Sequence, residues 1–97
     1  MIEKLPDNVL LIGQKDFMQY MGSIELLIRS QKKPKIILKA RGQNIKKAID
    51  LVEAARNKFL KDLNLEIGEI KVYTSKFQDK ENIERSVSCL DIELLLK

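Results

Sequence analysis

Apolar and polar residues follow two different periods along this chain, and the switches between them mark out six elements. Asn8–Ile12 is almost wholly apolar and is closed by Gly13, the pattern of a short buried strand ending in a turn. Asp16 then stands where a helix N-cap is wanted, with Gln19 three residues on at capping-box spacing. Phe17, Tyr20, Met21, Ile24, Leu27 and Ile28 recur at helical spacing, so one face is apolar to about Arg29. The Gln-Lys-Lys-Pro stretch at 31–34 ends that helix, because proline disfavours helix in the residue before it.

Lys35–Ala40 predicts a second strand around Ile36, Ile37 and Leu38, with 41–44 as a sharp connection. A second helix runs to about Lys61 on the line Ile45, Ala48, Ile49, Val52, Ala55 and Phe59. Leu65–Ser75 alternates around Gly68, which suggests a strand carrying a bulge. Lys76–Glu84 is polar and lacks any period, and Arg85–Leu96 alternates again as a long, half-buried last strand. The order β-α-β-α-β-β with right-handed crossovers predicts an α+β two-layer sandwich with both helices on one face. The last two strands form a hairpin whose tip, 77–83, protrudes.

At 97 residues the chain fits one domain, spanning 1–97. With 44% hydrophobic and 33% charged residues its composition is globular, and no apolar run reaches membrane-spanning length or resembles a signal peptide. Cys89 is the sole cysteine, so no intrachain disulfide forms, a reducing compartment is expected, and the thiol reads as a small buried hydrophobe. A domain of this size is marginal alone, and dimerisation is the stabiliser that remains.

Charge changes the picture more. Residues 29–61 carry 11 Lys/Arg against 2 Asp/Glu, whereas 62–97 carry 5 against 8. A basic block of this kind is the footprint of a polyanion partner; its alternative is a solvated lysine surface. Catalysis finds no footing, with no histidine, no phosphate-binding glycine loop and no metal-spaced cluster, so no cofactor or metal is expected. The carboxylate pair Asp79/Glu81 lies in the polar stretch, and Asp91/Glu93 shares one face of the last strand, read as its solvated face. Five aromatics are scattered rather than gathered on one sheet face, against base-stacking readout.

Several local sequences resemble the Alba family of archaeal chromatin proteins. They are Asn8-Val-Leu-Leu-Ile-Gly13, Ile37-Leu-Lys-Ala-Arg-Gly42, Ile45-Lys-Lys-Ala48, Val52-Glu53 with Arg56-Asn-Lys-Phe59, and Ser86–Leu94. The strand end Lys39-Ala-Arg-Gly42 leading into Ile45-Lys-Lys-Ala48 is the most specific of them. The resemblance implies the fold shared with the C-terminal domain of a bacterial translation initiation factor. It also implies a homodimer that coats double-stranded DNA and also binds RNA. Pairing with a paralogue, dimer–dimer contacts along DNA and a cytoplasmic, chromosome-associated location belong to the same expectation.

Three basic elements are candidates for gripping a nucleic-acid backbone. Lys15 follows Gly13 and Gln14 in the turn after strand one; Lys39, Arg41 and Gly42 lead through Gln43 to Lys46 and Lys47; Lys80 and Arg85 flank the hairpin tip. Gly42 permits close backbone approach, and lysines in the first turn of a helix oppose its dipole unless an anion docks there. Arg41 adds a planar fork for phosphate oxygens. Solvated lysines in weak ion pairs are the alternative. In the family the hairpin follows the minor groove, but here Lys76, Lys80 and Arg85 are balanced by Asp79, Glu81 and Glu84. Phe77 is either a wedge at the tip or strand packing.

Two departures from the family pattern predict weaker binding than in a fully basic relative, with Lys46 and Lys47 compensating in part. Gln14 stands where the family has the first of two lysines, an acetylation target, and Gln43 replaces a second arginine. Phe59 matches a family dimer–dimer contact but also continues the core line of helix two. The dimer face is read as Leu90, Ile92 and Leu94 with helix two. An RNA-binding role, including as a ribonuclease-complex subunit, and a protein adaptor for an acidic partner are the rival functions.

Overall fold

The computed structural model describes residues 6–97. Strand β1 is Val9–Leu11, and helix α1 is Phe17–Glu25, opened by the Asp16 carboxylate accepting from the Met18 N–H. The helix runs on into a π-turn, Leu26–Ser30. Strand β2 is Lys35–Arg41, and helix α2 is Ile45–Ala54, continued by a second π-turn, Ala55–Phe59. Strands β3, Glu66–Gln78, and β4, Glu84–Leu95, complete the chain.

The sheet order is β1-β2-β4-β3, with β1 parallel to β2 and β4 antiparallel to both neighbours. Both helices cover one face of the sheet, as the crossover rule requires. Ile24, Leu51, Val52 and Leu60 meet Ile36, Leu38 and Leu94 there, each 2% exposed or less. Burying a side chain of this size contributes about 1.5–3 kcal/mol. The β-α-β-α-β-β order stands as expected, but three element-level expectations change.

Arg41 ends β2 instead of opening the connection, paired with Cys89. The reversal into α2 falls on Gly42, whose φ of +59° only glycine holds without strain. Secondly, Lys76–Gln78 is strand rather than polar loop, paired as far as Gln78↔Glu84. Its residues show no period because both faces of the arm are in water; cross-strand hydrogen bonds hold it without burial. The arm stretches the molecule to 48 × 28 × 25 Å.

Thirdly, Phe59 leaves the core line. The π-turn hydrogen-bonds Leu60 N–H to Ala55 C=O at 2.9 Å, an i→i+5 step that advances the phase by one residue. Leu60 is therefore fully buried, while Phe59 is 37% exposed.

The bulge predicted at Gly68 is present between Ile67 and Ile70. A Cβ at Gly68 would lie 2.7 Å from a Glu93 oxygen and 3.1 Å from Leu95 Cδ1. Gly68→Ala is expected to cost about 1–3 kcal/mol through overpacking. A lowered urea midpoint checks this, and an unchanged midpoint would show that the bulge relaxes freely.

Candidate nucleic-acid interface

Because β1 and β2 are parallel neighbours, the loops that leave them lie side by side at one end of the sheet. Two side chains hold the β1–α1 loop, one from α1 and one from the start of α2. The Tyr20 hydroxyl accepts from Gly13 N–H at 2.7 Å and Lys15 N–H at 3.2 Å. The Lys47 ammonium donates to Gly13 C=O at 2.7 Å and Lys15 C=O at 3.1 Å, and lies 5.6 Å from the Tyr20 ring centre. The start of α2 and the β1–α1 loop thus form one rim.

Lys47, expected among the phosphate ligands, places its ammonium on two carbonyls and so positions the loop, with one N–H left over. Lys39 changes role in a similar way. It lies on the sheet face opposite the helices and donates to Asp91 at 2.8 Å, and Tyr73 O–H donates to the other Asp91 oxygen at 2.9 Å. The hydrogen bond to Asp91 raises the Lys39 pKa despite opposing desolvation, so this lysine is held charged and already neutralised. Asp91 and Glu93 are correspondingly not a freely solvated pair. Their side chains are 14% and 20% exposed, and Glu93 accepts from Glu69 N–H at 2.9 Å.

Lys15 and Arg41 are exposed, and among the described residues neither side chain has an ion pair or hydrogen bond partner. Lys46 pairs with Asp50 at 2.7 Å, but its side chain is 86% exposed, so the pair is weak and readily exchanged. Gln14, Gly42 and Gln43 are exposed beside them. Lys80 is exposed on the arm, well along the chain from this rim.

Arg85 is engaged in the arm's turn, donating to Asp79 at 2.7 Å. The other Asp79 oxygen accepts the N–H groups of Glu81 and Ile83. The Arg85 hydrogen bond first, and these N–H groups after it, hold Asp79 below its ordinary pKa of 3.8. A depressed folded value means the turn is fully supported above 3.8 and loses that support as pH falls through the lower value. The protection of the Glu81 and Ile83 amides relative to their intrinsic exchange rates is expected to fall only in that acid window, and a loss of protection near neutral pH would contradict the assignment.

The dimer-face assignment of Leu90, Ile92 and Leu94 is also corrected. They are 6%, 4% and 1% exposed, turned inward beneath the helices. The apolar residues left open on that side belong to β3. Ile70 and Val72 pair with Ile92 and Leu90 and share their face, but no helix roofs them, leaving them 52% and 76% exposed. On α2, Ile49 is 44% exposed and lies two turns before Arg56, which donates to Leu65 C=O beside the start of β3. This helix face therefore looks along β3. Alternation alone could not reveal the patch, because a roofed strand and an unroofed one read alike.

The aromatics are less dispersed than they appear along the chain. Tyr73 and Phe77 share the open face of β3, and Tyr20 brings its hydroxyl to the end of that face. A tyrosine inside an apolar helical stripe was the available signal, since a buried phenol needs a polar partner.

The fold and the rim together define a class of small two-layer α+β proteins with unpartnered cations gathered where two parallel strands end. The chain belongs to the Alba family, whose model matches residues 8–76. It is 35% identical over 88 residues to the DNA/RNA-binding protein Alba of Picrophilus torridus, covering 91% of this chain and 94% of the relative. The protein of the same name from Thermoplasma acidophilum is also 35% identical over 88 residues, with the same coverage. The solved structure of Alba from Thermoplasma volcanium superposes with a TM-score of 0.81 at 33% identity, over 91% of this chain and 99% of that one. A Trypanosoma brucei Alba structure, 17% identical with a TM-score of 0.64, shares the fold over 95% of this chain and 72% of its own. The curated relatives are named for binding, not for catalysis.

Proposed function

We propose that this protein binds nucleic acid without regard to sequence and coats double-stranded DNA as a homodimer, in the cytoplasm on the chromosome. The observation that carries this reading is the rim, where Lys15 and Arg41 stand unpartnered beside the weakly paired Lys46. Cations at loops touch phosphates, and no helix is presented to read base edges, so low base specificity follows. The names of the relatives point the same way. The unroofed apolar strip on β3 and α2 supports self-association, since an apolar patch beside a 13-residue edge strand with one open side invites a partner.

Titration into labelled duplex DNA, duplex RNA and single strands over a range of salt tests the proposal. Each phosphate contact adds about 0.9 to the slope of log affinity against log salt on duplex DNA. Sequence-independent duplex binding with a slope of several units supports it. A clear preference for RNA moves the protein to RNA metabolism with the same residues, and no binding at low salt leaves an adaptor for an acidic protein. Lys47→Met separates positioning from contact: affinity is expected to fall several-fold as the loop loosens, while the slope changes by well under one unit. A slope loss of about 0.9 would return Lys47 to the phosphate ligands.

A further inference from the structure

On the open face of the sheet, beside the rim, lies a hollow of about 550 Å³, within the ~300–1,000 Å³ usual for small-molecule sites. Its apolar surface comes from Leu11 and Cys89, and the Tyr73 ring, fixed by its bond to Asp91, lines it as well. Four polar groups meet it with capacity left over. Tyr20 is 5% exposed, and its hydroxyl oxygen accepts two N–H bonds while its own proton has no acceptor among the described residues. The Asn44 amide heads α2 without capping it, and neither that amide nor the Ser75 hydroxyl has a partner among the described residues. The unpartnered Arg41 guanidinium stands at the same hollow.

A buried hydroxyl with an unused proton, an unpaired amide and an apolar floor suit a flat, polar-edged ring. An asparagine amide, with a donor and an acceptor side by side, matches the edge of a nucleobase. The adjoining free arginine suits the phosphate that such a base carries. A paired base is held in its stack and cannot enter, whereas an unpaired one can turn out. We infer that this hollow receives one unpaired nucleobase from a strand lying on the rim, with Arg41 on the neighbouring phosphate. The inference rests on the nucleic-acid reading above and adds to it a preference for bulged or single-stranded segments.

The test compares a fully paired duplex with the same duplex carrying one bulged adenine, in DNA and in RNA, by anisotropy at fixed salt. The bulged form is expected to bind roughly three- to tenfold tighter, the contribution of one or two added hydrogen bonds. Ser75→Ala and Asn44→Ala are each expected to shrink that preference, with retained circular dichroism showing that they fold. With 2-aminopurine at the bulge, the emission change on binding follows the wild type and diminishes in both variants. Equal affinity for bulged and paired duplexes, or a preference untouched by both variants, overturns the hollow and leaves duplex coating intact. Loss of all binding by the wild type overturns both. Adenosine monophosphate that binds alone, with no bulge preference, makes the hollow a free-nucleotide site and overturns the strand-borne base.

Discussion

Ile70→Asp combined with Val72→Asp is expected to leave a monomer that binds duplex DNA at least ~100-fold more weakly than the parent protein. Both side chains lie on the helix side of β3 with no helix above them, so aspartates there remain in water and the protomer core is untouched. In a dimer the same aspartates would face an apolar partner surface, and desolvating a carboxylate without a counter-charge costs several kcal/mol. The loss of binding follows from geometry alone. Two linked rims convert the second docking event into an intramolecular one, and avidity of that kind is worth ~10²–10⁴ in affinity. Sedimentation should show the halved mass, and a salt titration should show a slope reduced by about half. A double variant that stays dimeric would move the interface off β3. A dimeric parent disrupted by Leu90→Asp instead would report only unfolding, because Leu90 is core.

Lys15→Ala with Arg41→Ala forms the second large effect. Each removes an unpartnered cation from the rim, and the salt slope is expected to fall by about 1.8 for each bound protomer. Charge-assisted hydrogen bonds contribute roughly 1.5–3 kcal/mol, so low-salt affinity should drop by at least ~10-fold for each residue. Lys39→Ala provides the contrast. Its ammonium already neutralises Asp91, so its removal leaves a half-buried carboxylate and the Tyr73 hydroxyl without their cation. The expected result is reduced stability with an unchanged slope. A slope loss for Lys39→Ala equal to that for Arg41→Ala would mean that Asp91 releases the lysine to the nucleic acid.

The latches of the rim do not involve the two positions that depart from the family pattern. Gln14 and Gln43 lower the charge at two exposed positions in neighbouring loops, and the β1–α1 loop that carries Gln14 is held by the Tyr20 hydroxyl and the Lys47 ammonium. Neither latch depends on the residues at 14 or 43. The fold of this loop therefore does not depend on the charge carried at these two positions.

The chain's local chemistry was sufficient for the element order and for the two-layer sandwich. Strand and helix periods are set by neighbours one to four residues apart, and the capping aspartate at 16 and the proline at 34 mark the bounds of the first helix. The glycine bulge at 68 was equally legible. The motif Lys39-Ala-Arg-Gly42 ends beside the rim. What lay out of reach depends on residues brought together from distant parts of the chain. Lys39 and Lys47 look like Lys15 in one dimension, but Asp91 is 52 residues from the first and Gly13 34 from the second. The inward turn of Leu90, Ile92 and Leu94 reads the same whether the cover comes from a helix or a partner, and only packing distinguishes them. Phe59 was displaced by the i→i+5 hydrogen bonding of the π-turn, a shift of phase that no count of apolar positions can register. Periodicity reports which residues avoid water; where the charges and the open surfaces lie is set by contacts between elements, and those exist only once the sheet has closed.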